Sequence, residues 1–155
     1  MGRVMIEEKR VWLPYRSTEP EQLARYLEQM AAKGWYPEKI GGYTAKFRQG
    51  KPQTLRYCLD FPDGKYDEKE LQKYTAQFAG SGWRFRLRAS DGWLLFSAKD
   101  PDARPLQADP ALAARNFQKF FRKRFLGSAL SVLLWLFWAF LDLGVMGSRT
   151  VRFLA

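Results

Sequence analysis

The sequence predicts an α+β fold. A duplicated strand–helix–strand–strand unit, its antiparallel sheet covered by two helices on one face, is followed by a C-terminal transmembrane helix. Three observations predict this. Val11 to Tyr36 lies over Leu59 to Arg84 at a shift of 48 residues without a gap, with seven of 26 positions identical. Several short segments alternate apolar and polar residues with period 2, as half-buried strands do. From Phe125 to Ser148, 24 residues carry one charge, Asp142.

The repeated identities are Pro14 with Pro62, Leu23 with Leu71, Tyr26 with Tyr74, Gln29 with Gln77, Ala31 with Ala79, Gly34 with Gly82 and Trp35 with Trp83. A repeat of this length marks a supersecondary unit used twice. In the first copy, Val11 to Tyr15 reads as a strand. Thr18 to Glu21 has the T-x-x-E form of a capping box, in which each side chain satisfies the other's backbone N–H. Leu23, Tyr26, Leu27 and Met30 follow at helical spacing, and Gly34 ends the helix at a position where the chain turns left-handed. Two strands follow, Tyr36 to Ile40 and Tyr43 to Phe47. The second copy begins with a strand from Thr54 to Phe61. Its helix runs from Asp67, with Glu70 three residues on, to Gly82, and strands Trp83 to Ala89 and Trp93 to Lys99 complete it. In the first of these strands Leu55, Tyr57, Leu59 and Phe61 point inward, against Arg56, Cys58 and Asp60. In the next, Trp83, Phe85 and Leu87 point inward, against Arg84, Arg86 and Arg88. One sheet face is therefore expected to be buried and the other wet.

The domain organisation follows: a folded domain over 1–101, a proline-containing linker over 102–110, a basic amphipathic juxtamembrane helix over 111–124, a transmembrane helix over 125–146 and a short tail over 147–155. The run from Phe125 to Val145 reaches about 20 residues, the length that crosses a hydrocarbon core of about 30 Å. Phe117, Phe120, Phe121 and Phe125 share one helical face. Lys119, Arg122 and Lys123 lie mostly on the other, and with Arg124 they are candidates for contact with lipid headgroups. Arg115, Lys119, Arg122, Lys123 and Arg124 precede the span, and only Arg149 and Arg152 follow it. This asymmetry places the N-terminal side in the cytoplasm. Met1 to Val11 has no apolar run of signal-peptide length. The expected location is the cell membrane, in a single pass. Asp142, near the end of the span, either pairs with another helix or sits at the outer interface.

The quoted segments carry a family resemblance. LEQMAAKGW (Leu27 to Trp35), Gly50-Lys51-Pro52, YCLDF (Tyr57 to Phe61), Gly82-Trp83 and GWLLF (Gly92 to Phe96) resemble the bacterial domain of unknown function 2812, over roughly Lys9 to Asp100. The resemblance implies a membrane-associated bacterial protein in a sensing or regulatory system. Members of that family are commonly followed by hydrophobic segments, often more than one, and bring no established chemistry. The doubled unit also looks like the two-module plan of GyrI-like effector-binding domains, which hold small molecules between modules. That likeness concerns fold and does not establish function.

Composition narrows the chemistry. With 26 Lys and Arg against 16 Asp and Glu, the net charge of +10 points to anionic partners such as a lipid surface. There is no histidine, so the commonest acid–base catalyst and metal ligand is absent. Cys58, the only cysteine, has no histidine to activate it. Asp63, Gly64 and Asp67 crowd one loop without the spacing of a calcium site. No catalytic residue, cofactor or metal site is assigned, and an enzyme is not expected. Trp12, Trp35, Tyr43, Tyr57, Trp83 and Trp93 are candidates for a ligand or partner groove. Residues of this kind more often build core, and Trp35 and Trp83 read first as plugs at the helix ends. Arg56, Arg84, Arg86 and Arg88 form a basic set. Their alternation away from the aromatics argues against a stacking platform for nucleic acid. The leading functional expectation is a cytoplasmic-facing interaction or sensing module, with the bilayer, a protein partner or self-association, and a small ligand as partners. The alternative is a structural or oligomerising membrane subunit without ligand binding.

Overall fold

A computed structural model describes residues 7–64, 66–106 and 110–151, the side chains of 110 and 142–151 excepted. The chain forms two units, described separately: 1–116 and 117–155. The first is mixed α and β. Its elements are β1 (Glu8–Trp12), α1 (Pro20–Ala32), β2 (Trp35–Ile40), β3 (Thr44–Gln49), β4 (Arg56–Asp60), α2 (Glu68–Ala76), a single 3-10 turn (Ala79–Ser81), β5 (Arg84–Arg88) and β6 (Leu94–Ala98). The apolar helix α3 (Pro110–Val151) starts in this unit and makes up most of the second.

The strands form two three-stranded antiparallel sheets, β1-β3-β2 and β4-β6-β5, where one sheet was expected. The reason lies at their facing edges. β2 and β5 run close together, yet each carries an irregularity, at Glu38 between Pro37 and Lys39 and at Arg86 between Phe85 and Leu87. A bulge bends an edge strand and interrupts its ladder. The two bulges lie 48 residues apart, the same shift at which the sequence identities align.

Several expected boundaries move, each for a local reason. The first strand is Glu8–Trp12 rather than Val11 to Tyr15. Pro14 has no N–H to give a ladder, and the pairing ends where Leu13 N donates to Tyr43 O at 2.8 Å. Thr18 does not cap α1: Glu19 holds the N-cap position without a side-chain hydrogen bond, and Pro20 opens the helix. Proline suits that place because its missing N–H would have no partner there. The capping box at Asp67 and Glu70 does form, in both directions. The second helix stops at Ala76 and gives way to the 3-10 turn before Gly82. Gly34 and Gly82 both take φ +81°. At Gly34 a Cβ would also lie 2.5 Å from Gly50 O.

The wet second face expected for the sheet is also corrected. Every residue of β6 is buried, so the β4-β6-β5 sheet is covered on both sides. Pairing sets the faces: Tyr57 opposes Ser97 and Leu59 opposes Leu95, while Cys58 opposes Phe96 and Asp60 opposes Leu94. On the Cys58 side, Leu71, Tyr74 and Phe78 pack with Trp83, Leu94, Phe96, Ala103 and Leu106 into one apolar cluster. Asp60 is buried there and accepts a hydrogen bond from Tyr74 at 2.7 Å. The bulge also splits the expected row of inward residues, because Phe85 opposes Phe96 on one face and Leu87 opposes Leu95 on the other. α1 buries Leu23, Ala24, Leu27, Met30 and Ala31 and runs closest to β4 and β2. Glu28 on α1 accepts from Tyr57 N on the outer edge of β4.

In α3, the stretch Ala111–Leu141 is long and apolar enough to cross a membrane, and none of it is buried. Leu130, Leu133, Leu134, Trp135 and Trp138 are exposed along it. The side chain of Asp142, and the residues Arg149 and Arg152 used for orientation, lie outside the described side chains.

Candidate functional site

The six candidate aromatics do not share a groove. Trp83 and Trp93 are 2% and 1% exposed and belong to the core. Trp12 is 75% and Tyr43 55% exposed, at neighbouring places where β1 meets the β2–β3 turn, with the Arg16 guanidinium 4.6 Å above the Tyr43 ring. Trp35 is half-buried under the Lys9 ammonium, 3.9 Å from the ring centre. Trp35 and Trp83 thus follow the same left-handed glycine but meet different surroundings. The segment after β6 makes the difference: Ala103 and Leu106 are buried over Trp83, and the Trp83 indole donates to Arg104 O at 2.7 Å. Arg56 secures the same segment, donating to Pro101 O at 2.8 Å and Ala103 O at 3.2 Å. Residues 101–106 are therefore packed onto the domain.

Two hollows among the described residues of the first unit bear on the candidate site. One, of about 330 Å³, runs along β4 and is closed by Trp83, Pro105, Leu106, Ala113 and Asn116. Its polar groups are occupied: Arg56 holds carbonyls, the Trp83 N–H is used, and Asp60 is tied to Tyr74. Cys58 borders it, and burial, reinforced by Asp60, pushes its thiol up to about 11. At neutral pH almost no thiolate forms, so the group is a poor nucleophile.

The other, of about 300 Å³, opens at the seam between the two sheets and is lined by Tyr36, Pro37, Glu38, Arg48, Tyr57 and Arg86. Both bulge residues face it. Glu38 pairs with Arg48 and, at 3.1 Å, with Lys46, which also holds Glu8 at 2.9 Å. The Lys46 hydrogen bond, helped by Arg48, keeps the Glu38 carboxyl below the usual range. Arg86 Nε donates to Ser97 Oγ at 2.5 Å. Among the described residues no carboxylate pairs with Arg86. Tyr36 donates its hydroxyl to Lys51 O. Tyr57 is only 5% exposed as a residue and lines the cleft. Tyr57 thus brings a phenol to a cleft that already holds a guanidinium, two groups able to donate hydrogen bonds to something bound there. Burial pushes the Tyr57 hydroxyl up to about 12 despite nearby Arg86, so it stays a donor.

The profile of the family described as a protein of unknown function (DUF2812) matches residues 19–130. The chain belongs to this family. The DUF2812 match starts at the N-cap of α1 and ends inside α3, about 30 residues beyond the segment whose motifs carry the resemblance. It takes in Tyr36, Glu38, Arg48, Tyr57 and Arg86, so the whole seam cleft lies within the DUF2812 region, as do Lys119, Arg122, Lys123 and Arg124, all exposed on α3. No curated protein and no solved structure matches the chain. Among the described residues no group of three metal-ligating side chains comes together.

Sequence reasoning named Tyr57 and missed its neighbours Tyr36 and Glu38. A repeat that carries Glu at one position and Arg at its counterpart 48 residues on was the available signal.

Proposed function

We propose that this chain is a membrane-tethered sensing module, without enzymatic activity, that holds a small molecule in the seam cleft. α3 anchors it in the cell membrane in one pass and its folded part faces the cytoplasm, where it passes the signal to a protein partner in a bacterial regulatory system. The cleft itself carries this reading, because Tyr57 and Arg86 line it with hydrogen-bond donors between β2 and β3 of one sheet and β4 and β5 of the other. The cleft volume is at the small end of ligand sites, about 300–1,000 Å³. The sidedness rests on the five basic residues that precede the span.

The two halves are read as copies of one unit. Both run strand–helix–strand–strand, both place the third strand in the centre of the sheet, and both bulge at the same repeat position. One inserted residue separates them: four residues, 41–44, lie between the last partners Ile40 and Ala45, and five, 89–93, between Arg88 and Leu94. Nucleic acid is not favoured, because the Arg86 bulge sends the basic side chains of β5 to different faces and leaves no continuous platform.

The test uses the full chain. Membranes carrying it are washed with carbonate, reporters are fused at each terminus, and the protein is purified in detergent for native mass spectrometry. The expected outcome is retention in the membrane, a cytoplasmic N-terminal reporter and a small-molecule adduct. Release by carbonate or an external N-terminal reporter would overturn the tether. Absence of any adduct would overturn the sensing role.

A further inference from the structure

We infer that the seam cleft selects a compact anion, a carboxylate or phosphate on a small apolar body, received by the Arg86 guanidinium and the Tyr57 hydroxyl. This rests on the reading of the cleft as a small-molecule site. Three observations carry the choice of class. The first is charge. Glu38 and Arg48 neutralise each other from neighbouring strands of one sheet, and Lys46 adds to the hold on Glu38. Arg86 is left as the cation without a carboxylate among the described residues. The second is aim. Arg86 is the extra residue of a bulge, the device that redirects a side chain at a sheet edge, and its Nε is fixed by Ser97 Oγ. The terminal amino groups of the guanidinium then remain for a ligand, in the fork geometry that suits carboxylate and phosphate oxygens. The third is the second donor. The Tyr57 hydroxyl lines the cleft, keeps its proton and can give a hydrogen bond to an anion. A ligand cation would find the only lining carboxylate already held. Pro37 and the rings of Tyr36 and Tyr57 offer the apolar wall.

The full chain in detergent is titrated calorimetrically with benzoate, phenyl phosphate, neutral benzamide and cationic benzylamine. The variants are Arg86→Gln, Arg86→Lys and Tyr57→Phe, each first checked for a melt like the parent's. Benzoate or phenyl phosphate should bind at least about tenfold tighter than benzamide and benzylamine, as loss of a charged hydrogen bond predicts. Arg86→Gln should lose that preference, Arg86→Lys keep part of it, and Tyr57→Phe weaken anion binding without restoring benzamide. The tighter of the two anions identifies the headgroup. Benzamide binding as well as benzoate, or an unchanged preference in Arg86→Gln, would overturn the anion and leave the cleft a small-molecule site. No binding of any probe would overturn both. Should Tyr57→Phe melt lower, the exposed Arg86 variants decide alone.

Discussion

Two tryptophans 48 residues apart, each after a left-handed glycine, do different work. Trp83 is sealed under residues 103–106 and gives its N–H to Arg104 O. Trp35, after the same type of glycine, lies half-open beneath Lys9. Replacing Trp83 by Ala should cost about 3–5 kcal/mol, the usual cost of deleting a large buried aromatic. For a domain with about 5–15 kcal/mol of stability, thermal melts should show a large drop or loss of folding. Trp35→Ala should melt within a few degrees of the parent. Equal losses in the two variants would show that the cover over Trp83 contributes little. The repeat made both residues legible as helix-end plugs. What separates them is a contact from residues 20 positions downstream, which no local pattern encodes.

The elements show how far period and capping rules reach. Five strands lie within one or two residues of their expected places, because alternation and turn residues bracket them. The first strand slid toward the N-terminus because Pro14 cannot join a ladder, although its neighbours have strand propensity. The seam cleft was hidden for a different reason: a bulge adds one residue to one strand and reverses the facing of all that follow. Simple alternation cannot place Arg86 and Leu87 correctly. The two helix starts offer a direct comparison. Asp67→Ala removes a formed cap and should cost about 1 kcal/mol in urea unfolding. Thr18→Ala removes a side chain that caps nothing and should leave the midpoint unchanged. A cost at Thr18 equal to that at Asp67 would mean that the T-x-x-E box forms in solution after all.

The whole folded part has a shared response to alkali. Cys58, Tyr57 and Tyr74 all bind their protons more tightly folded than unfolded, burial being the first cause in each case. Lys46 is also held above its usual value, by Glu8 and then Glu38. The unfolded chain therefore deprotonates first as pH rises. Stability from these groups is complete below the ordinary thiol value of 9.0 and is lost above it, through the tyrosine value of 10.0 and toward 12. Melting temperatures should be flat near neutrality and fall steadily above about pH 9. Cys58→Ala and Tyr57→Phe should each flatten part of that fall. A melting temperature that rises from pH 8 to 10 would contradict the burial of these groups. At this scale the sequence also made α3 plain, since length and apolar content alone mark a helix able to cross a membrane.

The strapped segment 101–106 also fixes where a mechanical load enters the domain. A pull along the chain from α3 would reach Leu106 and then the Trp83 indole and the Arg56 guanidinium, before it could draw on β6. The first bonds to carry tension would be the three that hold backbone carbonyls of 101–104. Segment 101–106 thus joins α3 to the domain through three side-chain bonds to its own backbone carbonyls.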